Sequence, residues 1–141
     1  MRNISVNHEY RNQQKKIDFK IKQLKYECDT WKRQLCFMLE ENVWLKTRLS
    51  EILKDRIDNN LLDQIEHFQS RFIREDDVIG LLRNEIANLN KLLVAREMFE
   101  DGIIMKKVNR KIKNLRHNIT ATERDFSNLK SEFNSYILEN I

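Results

Sequence analysis

The sequence contains no proline and only two glycines among its 141 residues. Most globular domains need both residue types for turns and strand ends, so this scarcity excludes folds built from many short elements. Two cysteines are too few for a disulfide framework. No apolar run approaches the roughly 18 residues of a membrane span, and residues 1–16 are too polar for a secretory signal. We therefore expect a cytoplasmic protein made of a few long helices.

The residues that are present favour a folded chain. Hydrophobic residues make up 40% of the sequence and charged residues 34%, which is too hydrophobic for a typical disordered protein. The hydrophobic residues recur in alternating steps of three and four, the spacing of heptad positions a and d in a coiled coil. Nine of the ten positions in the first such series are apolar: Ile21, Leu24, Cys28, Trp31, Leu35, Met38, Asn42, Leu45, Leu49 and Ile52.

Two further series repeat this spacing. The second is Ile65, Phe68, Phe72, Glu75, Ile79, Leu82, Ile86, Leu89, Leu93 and Arg96. The third is Met105, Val108, Ile112, Leu115, Ile119, Thr122, Phe126, Leu129, Phe133 and Tyr136. Residues 58–60, with Asn60 as a helix N-cap, form the first predicted turn, and Asp101-Gly102 form the second, within residues 100–103.

These series and turns predict helices over residues 10–57, 61–99 and 103–139. Because the connections are short, successive helices are expected to run antiparallel. The predicted fold is therefore all-α: one domain over residues 1–141, an elongated up-down-up three-helix bundle with coiled-coil packing. Helix 1 should extend beyond its neighbours at its N-terminal end.

Two polar residues, Asn42 and Glu75, occupy heptad positions that should face the core. A buried carboxylate without a partner is costly, so we expect the two side chains to lie in one buried polar layer that fixes the register of helices 1 and 2. The alternative interpretation is a ligand cavity lined by Asn42, Trp44 and Glu75.

Helix 1 also carries apolar residues where an isolated bundle should present polar ones. Phe37 and Trp44 fall at position c, and Cys36 and Val43 fall at position b. Exposed aromatic residues usually mark an interface. We therefore predict a homodimer in which Phe37, Val43 and Trp44 are interfacial.

The net charge of +4 is unevenly distributed. Residues 106–116 carry six basic side chains and no acid, and residues 11–33 are also rich in lysine and arginine. An up-down-up bundle brings these stretches to the same end. The predicted basic patch comprises Lys106, Lys107, Arg110, Lys111, Lys113, Arg116, Lys15, Lys16, Lys20 and Lys22. Such a patch favours nucleic acid or an anionic membrane surface.

The sequence contains no arrangement typical of an enzyme. Its three histidines, His8, His67 and His117, belong to no metal-binding or catalytic spacing, and two isolated glycines cannot form a phosphate-binding loop. We expect no catalytic residue, cofactor or metal site. The predicted function is a non-enzymatic structural or protein-interaction module that self-associates and binds a further protein. The alternative is a nucleic-acid-binding protein that uses the basic end, residues 11–33 and 106–116.

Overall fold

The computed structural model of the chain describes residues 2–55, 58–94 and 103–141. These residues form three helices and no strand: α1 (Arg2–Lys54), α2 (Asn59–Val94) and α3 (Ile103–Asn140). The three helices pack against each other, so the predicted all-α three-helix bundle is confirmed. At 1.5 Å per residue α1 is about 80 Å long, and the other two helices are each about 55 Å long.

The helix ends differ from the prediction at the first turn. α1 begins at Arg2 and ends at Lys54, whereas residues 10–57 were expected. The N-cap of α2 is Asp58 and not Asn60: its carboxylate accepts the backbone N–H of Asn60 at 2.8 Å, and its carbonyl accepts that of Leu62 at 2.9 Å. A carboxylate at this position satisfies a free N–H and also interacts favourably with the helix dipole.

The second predicted turn lies mostly outside the described residues. The predicted end of helix 2 at residue 99, the turn residues 100–102 and the a/d residue Arg96 all lie there. The structure does place the start of α3 at Ile103, as predicted, and its end at Asn140.

The core follows the predicted heptad positions. Of the described apolar residues in the three series, Ile52, Met105 and Tyr136 are partly buried, and the others are buried. Ile137 is also buried, although it lies outside the series. The largest fully buried side chains, Phe72 and Phe133, meet edge to face with ring centroids 5.1 Å apart.

Contacts between helices establish their directions. Asn42 of α1 contacts Phe72 of α2, whereas Lys25 lies beside Leu93, so these helices are antiparallel. Phe72 of α2 contacts Phe133 of α3, and Glu85 of α2 shares a cleft with Lys111 of α3. Helices α2 and α3 are therefore antiparallel as well.

Two ion pairs show that α1 and α3 run parallel. Arg116 donates to Glu27 at 2.6 Å, and Lys130 donates to Glu41 at 2.9 Å. Both pairs join residues 89 positions apart in the sequence, so the two helices stay in one register between them. The basic stretches of α1 and α3 therefore lie at the same end of the bundle.

Candidate functional site

The first candidate site is the outer face of α1, which we define as the exposed residues Cys36, Phe37, Glu40, Val43 and Trp44. Phe37 and Trp44 each expose 61% of their surface, and Val43 exposes 56%. Leu35, Met38 and Asn42 of the same helix are buried, and the helix period turns the residues between them towards solvent.

The local contacts of this face leave its rings uncovered. The guanidinium of Arg48 lies 6.0 Å from the centroid of the Trp44 ring, within range of a cation–π interaction. The face therefore presents two large apolar rings on a regular helix, which is a rigid surface suited to binding another protein.

The second candidate site is a groove of about 570 Å³ between α1 and α3. We call it the basic groove; its lining includes Lys20, Arg110, Lys113 and Arg116, with Leu24 and Ile112 also contributing. Arg116 is bound by both carboxylate oxygens of Glu27, at 2.6 and 2.7 Å. This hydrogen bonding holds the pKa of Arg116 above its ordinary value and compensates its charge.

The ten residues of the predicted basic patch do not share one surface. All ten are exposed. However, Lys111 lines a separate cleft with Glu85 and Asn88, and Lys22 lies on the α1/α2 side beside Leu93. Adjacent residues on a helix point about 100° apart, so a continuous run of lysines and arginines is divided among different faces.

The third candidate site is the polar layer, in which the structure corrects the predicted partner of Asn42. Asn42 is fully buried, and its amide nitrogen donates to the carbonyl of Phe72 at 2.8 Å and to the carboxylate of Asp76 at 2.7 Å. Lys46 pairs with the other carboxylate oxygen of Asp76. Both hydrogens of the amide are thus used by partners other than Glu75, because Asp76 and not Glu75 faces α1.

Glu75 lies on the side of α2 that faces α3, where it lines a cleft together with Thr122 and Asp125. It is partly buried, and one of its carboxylate oxygens is buried without a hydrogen-bond partner among the described residues. Burial raises the pKa of Glu75, and the nearby carboxylate of Asp125 raises it further. Trp44, which the alternative interpretation would place in a cavity with Asn42 and Glu75, is instead exposed on α1.

Asp76 and Lys46 belong to the polar layer, but the sequence analysis did not identify them. Each occupies position e, beside the core positions, and the two carry opposite charges. Opposite charges at such flanking positions commonly pair between helices. This signal could have identified the pair once the relative register of α1 and α2 was known.

The two cysteines differ in environment. Cys28 is fully buried, and burial raises the pKa of its thiol to about 11, whereas Cys36 is exposed. The described residues contain no group of three or more histidine, cysteine, aspartate or glutamate side chains placed to hold a metal ion. Within the described helices, no segment is both long and apolar enough to cross a membrane.

Comparison with known proteins does not indicate a function for this chain. No protein family, curated protein or solved structure matches this chain. Among the three candidate sites, the outer face of α1 has the largest exposed apolar side chains, and the basic groove has a concentration of positive charge. The polar layer lies largely inside the bundle.

Proposed function

We propose that this protein is a non-enzymatic interaction module that forms a homodimer through the outer face of α1 and presents the assembled bundle to a further protein. The exposure of Phe37 and Trp44, each 61%, carries the proposal. Aromatic residues are enriched at the centres of interfaces, where they supply much of the binding energy. Both rings lie on one face, because residues seven apart on a helix are nearly aligned.

The free energy gained by burying apolar side chains indicates that the dimer interface uses the whole outer face of α1. Burying one large apolar side chain contributes about 1.5–3 kcal/mol, whereas association costs at least about 4 kcal/mol. Phe37 alone, counted in both copies, contributes at most about 3–6 kcal/mol, which leaves little margin over the lowest value of that cost. Trp44, Val43 and Cys36 lie beside it, and their joint burial in both copies can exceed that cost.

We further infer that the three helices pack with coiled-coil geometry. The ion pairs Glu27–Arg116 and Glu41–Lys130 lie two heptads apart and keep the same sequence offset. Both join position g of α1 to position e of α3, which are the flanking positions that pair between parallel helices of a coiled coil. A rigid bundle of this kind would hold the outer face of α1 straight and available.

The dimer is tested by Phe37→Lys and Trp44→Lys. We expect the wild-type protein to have the mass of two chains of 17.2 kDa at micromolar concentration and each variant to have the mass of one. A buried lysine at the interface would have to lose its hydration, so pairing should fail while the bundle stays folded. Multi-angle light scattering gives the mass, and circular dichroism checks that helix content is unchanged.

Leu81→Lys is the matched control. Leu81 exposes 64% of its surface, nearly the same fraction as Phe37, but it lies on α2. This variant should remain dimeric. A wild-type mass of one chain at high concentration would contradict the proposal, and so would equal dissociation by all three lysine substitutions.

The second candidate function is binding of a polyanion such as nucleic acid by the basic groove. Its specific support is that Lys20, Arg110 and Lys113 line one groove. None of the three forms an ion pair within the described part of the chain. Clustered lysine and arginine bind phosphates without sequence preference and release counterions, so the affinity falls as salt rises.

Arg110→Glu tests this second function, with Arg124→Glu as control. Both arginines are exposed, and they lie two heptads apart on the same face of α3, but only Arg110 lines the groove. We expect Arg110→Glu alone to weaken binding of a labelled duplex or single strand by about tenfold in fluorescence anisotropy at low salt. Equal weakening by both variants would indicate a general charge effect. Binding of anionic vesicles but not of nucleic acid would favour a membrane surface instead.

A further inference from the structure

The outer face of α1 carries charged residues whose order along the helix is self-complementary. Arg33 and Glu40 lie at position f of α1. Lys22 and Glu51 lie farther along the helix, on either side of the five residues that define the face, with Lys22 at the edge beside Leu93 of α2. All four are exposed, and none forms an ion pair within the described chain. Of these four residues, the two basic ones therefore precede Cys36 and Phe37 in the sequence, and the two acidic ones follow them.

This order matches an antiparallel pair of α1 helices. In a two-fold symmetric antiparallel pair, residues at equal distances on either side of the symmetry axis oppose each other. An axis passing between Cys36 and Phe37 places Arg33 opposite Glu40 of the second copy and Lys22 opposite Glu51. Symmetry doubles each contact, so the interface gains four opposite-charge pairs around an apolar centre.

Other arrangements bring like charges together. A parallel two-fold pair places each residue opposite itself, so Arg33 meets Arg33 and Glu40 meets Glu40. An antiparallel pair with its axis at Glu40 likewise brings the two Glu40 carboxylates together, and an axis at Arg33 brings the two guanidinium groups together. Like charges at an interface cost free energy and select against the wrong register.

We propose that two copies of this chain pair antiparallel through the outer faces of their α1 helices, with the two-fold axis between Cys36 and Phe37. The inference rests on the proposed dimer and adds its direction and register. The two Phe37 rings meet on one side of the axis, and the two Cys36 thiols meet on the other.

Cys36 provides a direct test of this register. Near a two-fold axis its thiols come within the separation that a disulfide requires. With copper–phenanthroline and dissolved oxygen as oxidant, two Cys36 thiols lose two protons and two electrons and form one disulfide. We expect a two-chain band on a non-reducing gel for the wild type and none for Cys36→Ser. The buried Cys28 should not react, because its pKa is raised to about 11.

A relocated thiol controls for chance collisions. Thr47 is exposed on the same helix, but in the proposed register it opposes Tyr26, so the two copies of residue 47 lie about 30 Å apart. The double variant Cys36→Ser/Thr47→Cys should therefore remain uncrosslinked under the same oxidant. Adding Tyr26→Cys to that variant should restore the crosslink.

Exchange of charges tests the register without oxidation. Arg33→Glu creates two Glu–Glu contacts and should raise the dimer dissociation constant about tenfold. The double variant Arg33→Glu/Glu40→Arg restores opposite charges and should return the constant to within about threefold of the wild-type value. A monomeric wild type would overturn both this inference and the proposed dimer. A dimer that Trp44→Lys dissociates, but that Cys36 does not crosslink or the charge exchange does not restore, would overturn the register alone.

Discussion

Replacing Phe133 with alanine is expected to lower the free energy of unfolding by about 3–5 kcal/mol. The Phe133 side chain is fully buried in α3. Its ring centroid lies 5.4 Å from that of Phe68 and 5.1 Å from that of Phe72, both in edge-to-face contact. Alanine would remove the ring from both contacts and leave a cavity between α2 and α3. Stiff helices on either side can close such a cavity only in part.

Leu138→Ala provides the control for this loss. Leu138 follows Phe133 closely on α3, but it exposes 86% of its surface. Its replacement should change the free energy of unfolding by less than about 0.5 kcal/mol. Urea denaturation followed by circular dichroism measures both variants. A loss below about 1 kcal/mol for Phe133→Ala would show that the aromatic contacts do not organise this end of the core.

The helices and their buried faces could be predicted because heptad spacing is a local property. Each step of three or four residues returns to the same side of a helix, so the positions of Leu35 or Ile86 in their series were enough to predict burial. The burial of Ile137 could not be predicted in this way, because Ile137 lies at a flanking position. Its burial depends on how closely α1 approaches that side of α3, which the spacing within α3 alone does not specify.

The details of the candidate sites depend on relations between helices. Asp58 and Asn60 are both good N-caps, and the choice between them decides where α2 begins. Two adjacent carboxylates of α2, Glu75 and Asp76, lie at a level of the bundle where either could be the partner of Asn42. Which of them faces α1 depends on which side of α2 each neighbouring helix occupies. Local spacing carries no such information, so the partner of Asn42 was predicted wrongly although its burial was predicted correctly.

The exposure of the aromatic residues of α1 could be predicted from the sequence because it does not depend on relations between helices. Phe37 and Trp44 lie off the heptad positions of their own helix, and a straight helix holds them outward whatever its neighbours do. The position of both basic stretches at one end of the bundle could also be predicted, because it follows from the up-down-up topology alone. Their division among grooves was not predicted, because it requires the rotation of each helix within the bundle.

Replacing Glu75 with leucine is expected to raise the free energy of unfolding by about 1–3 kcal/mol at neutral pH. Glu75 occupies position d of α2, and one of its carboxylate oxygens is buried with no hydrogen-bond partner among the described residues. Leucine matches the apolar residues above and below it in the same series. The substitution therefore removes a desolvated charge and adds apolar contact between α2 and α3.

The charge-dependent part of this gain should depend on pH in a defined direction. Burial raises the pKa of Glu75 above its ordinary value of 4.5. The folded chain consequently binds this proton more tightly than the unfolded chain, and Glu75 lowers stability as pH rises between the two pKa values. The difference between wild type and Glu75→Leu should be constant above the folded-state pKa. It should shrink as the pH falls from the folded-state pKa to the ordinary value of 4.5, and it should level off below that value.

Asn42→Leu is the matched control, and its effect should have the opposite sign. It makes the same kind of change at a core heptad position, but Asn42 donates two hydrogen bonds, one of them to the carboxylate of Asp76. Leucine would leave Asp76 with Lys46 alone, so we expect a loss of about 1–3 kcal/mol. Urea denaturation of both variants at pH 7 and at pH 4 makes the comparison. If both substitutions stabilised the bundle equally, the hydrogen bonds of Asn42 would contribute nothing. If Glu75→Leu destabilised it, the carboxylate of Glu75 would have to be favourably bound in the folded protein.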